Sequence, residues 1–399
     1  MGSMIKLAVA AAMALAASSC GGDDDGGSPP SPPAASLPIT KGPRLPAVND
    51  SWVLQPPLPS TDSARYGQRT YQGLPTIAAT GNRIWLTWVG GFSNPGGELP
   101  GDYQTIVYSD DDGQTWSREF YLVPQGPATD RVGDARLWLA PDGKLWMFFF
   151  QSGRGLAADD HVGGWLTVIA DPTTAEPVFE PAIWFADGIP NRPFRYNDQW
   201  LVPVDYPFIS PRYSQRAGQH LYSIDWTAKR FTYVTTLPRN QSADFNEPAL
   251  VQLHDGSVLL HQRTTVGLVQ RTSPAGAWNW SNAVPFSGFP TVQTRSAIER
   301  SPSGRLVMVT NKSAITRENM TIAFSNDEGQ SWPYQHTLEP RPGTSYPDIA
   351  FAPNGDILVV YDYGRNYGQI RLSRIKESSI VSGQPDVSTS VVNWARRPS

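Results

Sequence analysis

Short apolar segments recur along the chain, and each follows a turn that contains glycine or the pair Asn-Asp. The turns are Gly81-Asn82, Asp142-Gly143, Asn197-Asp198, Asp255-Gly256, Ser303-Gly304 and Asn354-Gly355. The apolar segments are residues 83–88, 145–148, 200–202, 258–260, 306–309 and 357–360. The turns lie about 50 to 60 residues apart, enough for one four-stranded sheet each. With no amphipathic helix pattern apparent, the sequence predicts an all-β six-bladed β-propeller with four-stranded antiparallel blades.

The last blade of such a ring must meet the first. Residues 52–54 and residues 391–394 are the terminal segments that could pair with the last or the first blade to close it. A seventh blade would need one more repeat, and residues 208–216 are the region that could contain one. Six blades therefore remain the prediction.

The first 20 residues have the pattern of a signal peptide. Lys6 precedes an apolar run from 7 to 17 that is too short to span a bilayer as a mature helix. The run ends in Ser18-Ser19-Cys20 and resembles a bacterial lipoprotein signal, which implies acylation of Cys20; an ordinary secretory signal is the alternative. Residues 21–45, rich in Gly, Ser, Pro and Asp, predict a flexible tether before one domain at 46–399. We expect the bacterial cell envelope, with membrane contact through the lipid anchor only.

Composition excludes several classes of function. The formal net charge is −4 and no block of Lys or Arg is present, so the electrostatic footprint of a nucleic-acid-binding protein is missing. The chain has no P-loop and no dinucleotide fingerprint, and its five histidines lack metal-ligand spacing. We therefore expect no cofactor, no catalytic metal and no nucleic-acid partner, and we expect a monomer.

Two octets repeat near opposite ends of the folded region. Residues 109–116 read SDDDGQTW and residues 325–332 read SNDEGQSW. Each octet follows an apolar strand and is expected to open another strand at its Trp, so its centre should be a hairpin turn. In that turn, Asp111 or Asp327 can accept backbone N–H bonds, and Gly113 or Gly329 can take positive φ. The octets resemble the SxDxGxTW Asp box of the sialidase (BNR-repeat) superfamily, which implies a sialidase-like propeller. An Asp box is a folding device, so it indicates the scaffold and leaves the chemistry open.

The ends of the innermost strands of a propeller converge on its axis, where a binding site is expected. The residues that precede each inner strand are Gln72-Gly73, Asp134, Asn191-Arg192, Asn246-Glu247, Arg295 and Tyr346. Acidic and guanidinium groups at these positions are candidates for substrate binding. Two of them also have structural interpretations, because Arg192 could be a solvated loop residue and Arg295 could pair with Glu299.

The resemblance to sialidases extends to individual residues. It implies that Glu247 is the catalytic glutamate of the fourth blade, that Arg263 and Arg317 bind the substrate, and that Tyr346 is the nucleophile. The acid ending the second strand of the last blade matches Asp362. Chemically, an anomeric carbon that carries a carboxylate repels an anionic nucleophile, which favours a tyrosine activated by a glutamate. Arginine binds such a carboxylate bidentately.

Two departures from the sialidase pattern affect the expected activity. Sialidases open the first blade with Arg-Ile-Pro, whose arginine completes a clamp of three, but this chain has Gly73-Leu74-Pro75. Arg69 lies four residues too early to replace it. The general acid/base is also not fixed by a motif: Asp102 is the preferred candidate by residue type, and Glu98, which is nearer in spacing, is the alternative.

Three classes of function follow from this pattern. The first is an extracytoplasmic sialidase-like exo-glycosidase that removes a terminal acidic sugar from a glycan. The second is a propeller-type polysaccharide lyase, in which Tyr346 acts as base or acid and an arginine neutralises a uronate carboxylate. The third is a glycan-binding propeller without turnover. What takes the place of the missing arginine at Gly73 separates these classes.

Overall fold

The computed structural model describes residues 69–92, 97–122, 130–153, 163–186, 188–206, 218–240, 246–365 and 368–394. These residues form six antiparallel sheets, which are the blades of the predicted all-β propeller. The predicted signal peptide with Cys20, the tether at 21–45, and residues 52–54 and 208–216 lie outside the described residues. No helix among the described residues is long and apolar enough to cross a membrane.

The first three blades follow one another along the chain. The first consists of β1 (Tyr71–Thr80), β2 (Arg83–Gly91), β3 (Tyr103–Ser109) and β4 (Phe120–Leu122). The second consists of β5 (Asp130–Leu139), β6 (Leu145–Gly153), β7 (Gly163–Ile169) and β8 (Ile183–Ala186). The third consists of β9 (Ile189–Pro190), β10 (Phe194–Tyr196), β11 (Gln199–Tyr206), β12 (Gly218–Asp225) and β13 (Arg230–Leu237). The short strand β9 pairs with β11 and gives this blade a fifth strand.

The last three blades have the same order. The fourth consists of β14 (Ala249–Gln252), β15 (Val258–Thr264), β16 (Gly267–Ser273) and β17 (Val284–Pro285). The fifth consists of β18 (Ala297–Arg300), β19 (Leu306–Asn311), β20 (Met320–Ser325) and β21 (Tyr334–Glu339). The sixth consists of β22 (Thr344–Phe351), β23 (Ile357–Tyr363), β24 (Gln369–Ile375) and β25 (Val387–Trp394). A short helix, α1 (Glu377–Val381), which the sequence pattern did not predict, precedes β25.

In five blades the predicted turn joins the first and second strands, and in the third blade it joins β10 and β11. The segment predicted to close the ring, residues 391–394, belongs to β25 and pairs with β24 of the last blade. Six apolar clusters of described residues lie one at each junction of neighbouring blades, including the junction of the sixth blade with the first. The core is therefore a ring of interfaces between sheets, and the first strands contact one another around the axis.

The two octets lie where the sequence pattern predicted them, between β3 and β4 and between β20 and β21. The prediction that a strand begins at the tryptophan was wrong, because β4 begins four residues after Trp116 and β21 two residues after Trp332. Both tryptophans pack into apolar clusters at blade junctions. They therefore contribute to the core instead of to the strand ladder.

Candidate active site

Four residues at the start of inner strands have a left-handed backbone. The φ angle is 55° at Leu74, 45° at Asp134, 42° at Glu247 and 51° at Tyr346. In the first, second and sixth blades the strand register shifts at the same place, as in a β-bulge. Bulges redirect side chains, and left-handed backbone in residues other than glycine is a form of strain that concentrates at functional sites. All four side chains line one pocket on the axis.

The pocket has a volume of about 440 Å³ and is lined by residues of all six blades. Predicted candidates among them are Asp134, Asn191, Glu247, Arg263, Arg295, Arg317, Tyr346 and Glu98. Tyr71, Asp205 and Arg365 also line it, and the sequence patterns did not indicate them. The topology thus brings residues as distant as Tyr71 and Arg365 to a single concave surface of the kind that binds small molecules.

Arg263 links the predicted nucleophile to the predicted base. Its Nη1 donates to Glu247 Oε2 at 2.8 Å and to the Tyr346 hydroxyl at 3.0 Å. Although burial opposes it, the guanidinium groups of Arg295 and Arg263 hold the pKa of Glu247 below its usual range. Burial, reinforced by negative Glu247, raises the pKa of the Tyr346 phenol. The pair is therefore a charged carboxylate and a neutral phenol that share one cationic donor.

Arg295 and Arg317 differ in how their charge is compensated. The Nη2 of Arg295 donates to Asp134 Oδ1 at 2.8 Å and to Glu247 Oε1 at 3.3 Å. Arg317 donates from Nε to the carbonyl oxygen of Gln293 at 3.0 Å, and it has no carboxylate partner among the described residues. Arg317 is thus the pocket arginine whose charge is least compensated, so it is the best placed to meet an anionic ligand.

Arg365 is a fourth guanidinium group in the pocket. Its Nε donates to Asp362 Oδ2 at 3.2 Å, and its Nη1 lies 3.7 Å from Glu98 Oε1. Its guanidinium carbon lies 4.2 Å from the ring centroid of Tyr346. Arg365 follows β23 in a loop that matches no motif, so the sequence pattern did not indicate it. Its spacing of three residues from Asp362 is the one local signal that was present.

Glu98 and Asp102, the two candidates for the general acid/base, differ in their position relative to the pocket. Glu98 lines it and lies 3.5 Å from Arg131 Nη2. Asp102 does not line it; this side chain is buried below the surface and accepts the backbone N–H of Leu99 at 2.8 Å. Burial raises the pKa of Asp102 to about 8. Between the two candidates for the general acid/base, the structure places Glu98 at the pocket surface.

Other predicted residues lie outside the pocket. Arg192 pairs with Glu299 at 2.5 Å and with Asp348 at 2.7 Å, so two carboxylates already compensate its charge. Asp362 is fully buried and accepts from Leu74 N at 3.0 Å and from Ser345 Oγ at 2.6 Å. Because the Asp362 side chain does not line the pocket, its hydrogen bonds orient neighbouring groups of the protein. From the inner strand of the first blade, Tyr71 and Leu74 line the pocket, whereas the predicted Gln72 is buried away from it and donates to the carbonyl oxygen of Gly368.

Within the part of the chain that the structure describes, no three His, Cys, Asp or Glu side chains come together as a set of metal ligands. Three of the four carboxylates that line the pocket are instead paired with arginines, whereas Asp205 accepts backbone N–H groups. Asp134 and Glu247 share Arg295, and Glu98 lies between Arg131 and Arg365. These pairs can position and polarise an anionic organic ligand.

The fold and the arginine-rich axial pocket define a propeller of the sialidase-like class. The family model described as BNR repeat-like domain matches residues 96–359, more than half of the chain, and the chain belongs to this family. No curated protein matches the chain.

Several solved structures have the same fold. A Hadza microbial sialidase superposes with a TM-score of 0.63 at 13% identity, over 76% of this chain and 66% of that chain. This chain therefore spans just under two thirds of the length of that protein. A leech intramolecular trans-sialidase gives a TM-score of 0.62 at 12% identity, over 80% and 70%. A protein of unknown function from Dyadobacter fermentans gives 0.58 at 14% identity, over 81% and 95%. At these identities the likeness establishes the fold.

Proposed function

We propose that the protein is a sialidase-like exo-glycosidase that removes a terminal acidic sugar from a glycan. One observation carries the proposal: the Tyr346 hydroxyl and the Glu247 carboxylate are both bonded to Arg263 Nη1 inside a pocket lined by four arginines. A neutral phenol avoids the repulsion that a carboxylate nucleophile would meet at an anomeric carbon bearing a carboxylate. The arginines supply the matching positive charge.

The substrate carboxylate is expected to compete for Arg263 and so to release Glu247 toward the phenol. Tyr346 Oη then forms a bond to the anomeric carbon while the glycosidic C–O bond breaks. The phenol proton passes to Glu247, and the leaving oxygen takes a proton from Glu98. Water next displaces the sugar, giving its proton to Glu98 while the tyrosine oxygen recovers its proton from Glu247. We assign the acid/base to Glu98 because it lines the pocket and Asp102 does not.

The test combines product analysis with one variant. Sialylated and uronate-containing glycans are incubated with the protein; a free reducing sugar supports hydrolysis, and an unsaturated uronate absorbing in the ultraviolet would instead indicate a lyase. We expect Tyr346→Phe to lose most of kcat, by about 100-fold or more, with ligand binding nearly intact, because only the nucleophilic oxygen is removed. Tyr334→Phe, on the outer strand β21, is the matched control and should keep full activity. Binding without either product would mean a glycan-binding module.

We further propose that the protein acts outside the cytoplasm, tethered by a lipid at Cys20. The proposal rests on the apolar run that ends at this single cysteine. Changing Cys20 to Ser should move the expressed protein from the membrane fraction to the soluble fraction. Unchanged membrane partitioning of that variant would exclude the anchor.

A further inference from the structure

The space beside Gly73 is already filled by another side chain. A Cβ atom built on Gly73 would lie 2.9 Å from Asp362 Oδ2, 3.2 Å from Arg365 Nε and 3.3 Å from Arg365 Cγ. The backbone of Gly73 is not left-handed, so its conformation does not require glycine. Close packing requires it instead, because a larger residue would overlap the Asp362–Arg365 pair.

Arg365 is fixed in this space by its backbone and its side chain. Its carbonyl oxygen accepts the N–H of Gln72 at 3.1 Å, which joins the loop after β23 to the first blade. Its Nε is bonded to Asp362, which in turn accepts the N–H of Leu74. The guanidinium is therefore held at the start of the first blade although its chain segment belongs to the sixth.

The guanidinium keeps one unused hydrogen-bond donor beside the pocket. Arg365 Nη2 is buried and has no hydrogen-bond partner among the described residues, and the side chain lines the pocket. A buried donor without a partner costs about 1 to 3 kcal/mol, so an acceptor supplied by a ligand would be favoured. The guanidinium carbons of Arg365, Arg295 and Arg317 lie 4.2, 4.6 and 5.2 Å from the Tyr346 ring centroid.

We infer that Arg365 is a substrate-binding residue, which together with Arg263 and Arg317 holds the carboxylate of an acidic sugar and supplies from the sixth blade the charge that Gly73 cannot. Arg295 is not part of this set, because its side chain is only 10% exposed, against 23% for Arg365, and its Nη2 bridges Asp134 and Glu247. The inference rests on the proposed function in that the ligand is the same acidic sugar. It assigns specificity for a carboxylate to a residue outside the sialidase-like motifs.

The test measures binding of two ligands by calorimetry: N-acetylneuraminic acid and its methyl ester, which lacks the negative charge. We expect Arg365→Ala to weaken binding of the acid about 10- to 100-fold, as for loss of a charge-assisted hydrogen bond, and to change binding of the ester less than about threefold. Arg365→Lys should recover part of the loss for the acid. Arg341→Ala, an arginine outside the pocket, is the control and should bind both ligands normally.

Two results would overturn the inference. One is unchanged acid binding by Arg365→Ala; the other is an equal loss for acid and ester, which would mean a structural role. Thermal unfolding and near-ultraviolet circular dichroism of each variant report whether it is folded. The outcome is independent of turnover: if no sugar is cleaved but the loss on Arg365→Ala is selective for the acid, the glycosidase proposal fails and the role of Arg365 stands. If sugars are cleaved and Arg365→Ala binds the acid as tightly as the parent protein does, the glycosidase proposal stands and the role of Arg365 fails.

Discussion

Residues of the pocket are held in strained conformations by carboxylates of the preceding blade. Asp205 Oδ2, on β11, accepts the N–H groups of Asn246 at 3.0 Å and of left-handed Glu247 at 3.3 Å. Asp362 Oδ2, on β23, likewise accepts the N–H of left-handed Leu74 at 3.0 Å. Each buried carboxylate therefore compensates the backbone strain that turns the next inner strand toward the axis.

Asp205 gives the molecule a predictable pH dependence. Burial, with a smaller contribution from negative Glu247, raises the pKa of Asp205 to about 7 against the opposing effect of its backbone hydrogen bonds. The folded state then binds this proton more tightly than the unfolded state. The free energy of unfolding should therefore fall as the pH rises from about 4 to about 7, by at most about 1.4 kcal/mol per pH unit. Above pH 7 this contribution is constant, because the carboxyl is ionised in both states.

Asp205→Asn should remove that slope while keeping an oxygen acceptor for the two N–H groups. Unfolding midpoints measured from pH 4 to pH 8 for both proteins provide the check. Since ionised Asp205 adds negative charge to the pocket, KM for an acidic sugar should also rise above pH 7 in the parent protein and not in the variant. If the unfolding midpoints of the two proteins change in parallel from pH 4 to pH 8, Asp205 titrates outside that range.

Sequence order was sufficient to predict some pocket residues and insufficient for others. Glu247 and Tyr346 stand where inner strands begin, so the repeat pattern indicated them, whereas Arg263 was indicated by the resemblance to sialidases. Arg365 could not be found this way, because it lies in the loop between β23 and β24 and meets the first blade only in the folded structure. Arg192 stands at a correct ring position, but Glu299 and Asp348 pack close to it, and which carboxylates surround a guanidinium is decided by tertiary structure.

At the scale of structural elements, each of the two Asp boxes joins its own blade to the preceding blade of the ring. In both boxes the serine hydroxyl accepts the glycine N–H and donates to the aspartate, at distances that agree within 0.1 Å. The residue before the glycine then reaches the neighbouring blade: Asp112 bonds Arg374, and Glu328 accepts the N–H of His254. The sequence showed the turn, but the junction depends on partners far along the chain.

Ser325→Ala is the clearest test of this element. Ser325 is buried, and its loss leaves the Gly329 N–H without an acceptor, so the free energy of unfolding should fall by about 1 to 3 kcal/mol. Urea unfolding measures the loss, and activity per folded molecule should be unchanged because the box lies far from the pocket along the strand. Ser331→Ala, in the exposed part of the same box, should cost less. An equal loss for both variants would mean that burial of the turn is unimportant.

For the whole molecule, the critical place is the junction of the first and sixth blades, where the ends of the ring meet. An apolar cluster fills the junction, with Trp88 from the first blade and Leu372 from the sixth. Polar contacts flank it. Gln72 Nε2 donates to the carbonyl oxygens of Gly368 and Asn393, and Asn393 Nδ2 donates to Glu119. Among the described residues each blade is made of consecutive strands, so closure uses side chains and the backbone bond from Gln72 N–H to the Arg365 carbonyl oxygen.

Glu119 also pairs with Arg69, whose side chain is 1% exposed and which donates as well to Thr105 Oγ1 at 2.8 Å. We expect Glu119→Gln to lower the free energy of unfolding by about 3 to 5 kcal/mol, because it leaves a buried guanidinium without its counter-charge. Urea unfolding followed by tryptophan fluorescence provides the measurement. Glu176→Gln, which breaks an exposed pair with Arg118, is the matched control and should cost less than about 1 kcal/mol.

Replacing both partners of the buried pair separates its charge from its position. Arg69→Met combined with Glu119→Leu should recover most of the stability that Glu119→Gln loses, since apolar residues of similar volume replace a buried ion pair at little cost. If the double variant is as unstable as the single one, closure depends on the hydrogen bonds of Glu119 to Asn393 and Tyr121. If Glu119→Gln costs no more than Glu176→Gln, the apolar cluster alone closes the ring, and the polar contacts at this junction are incidental to its stability.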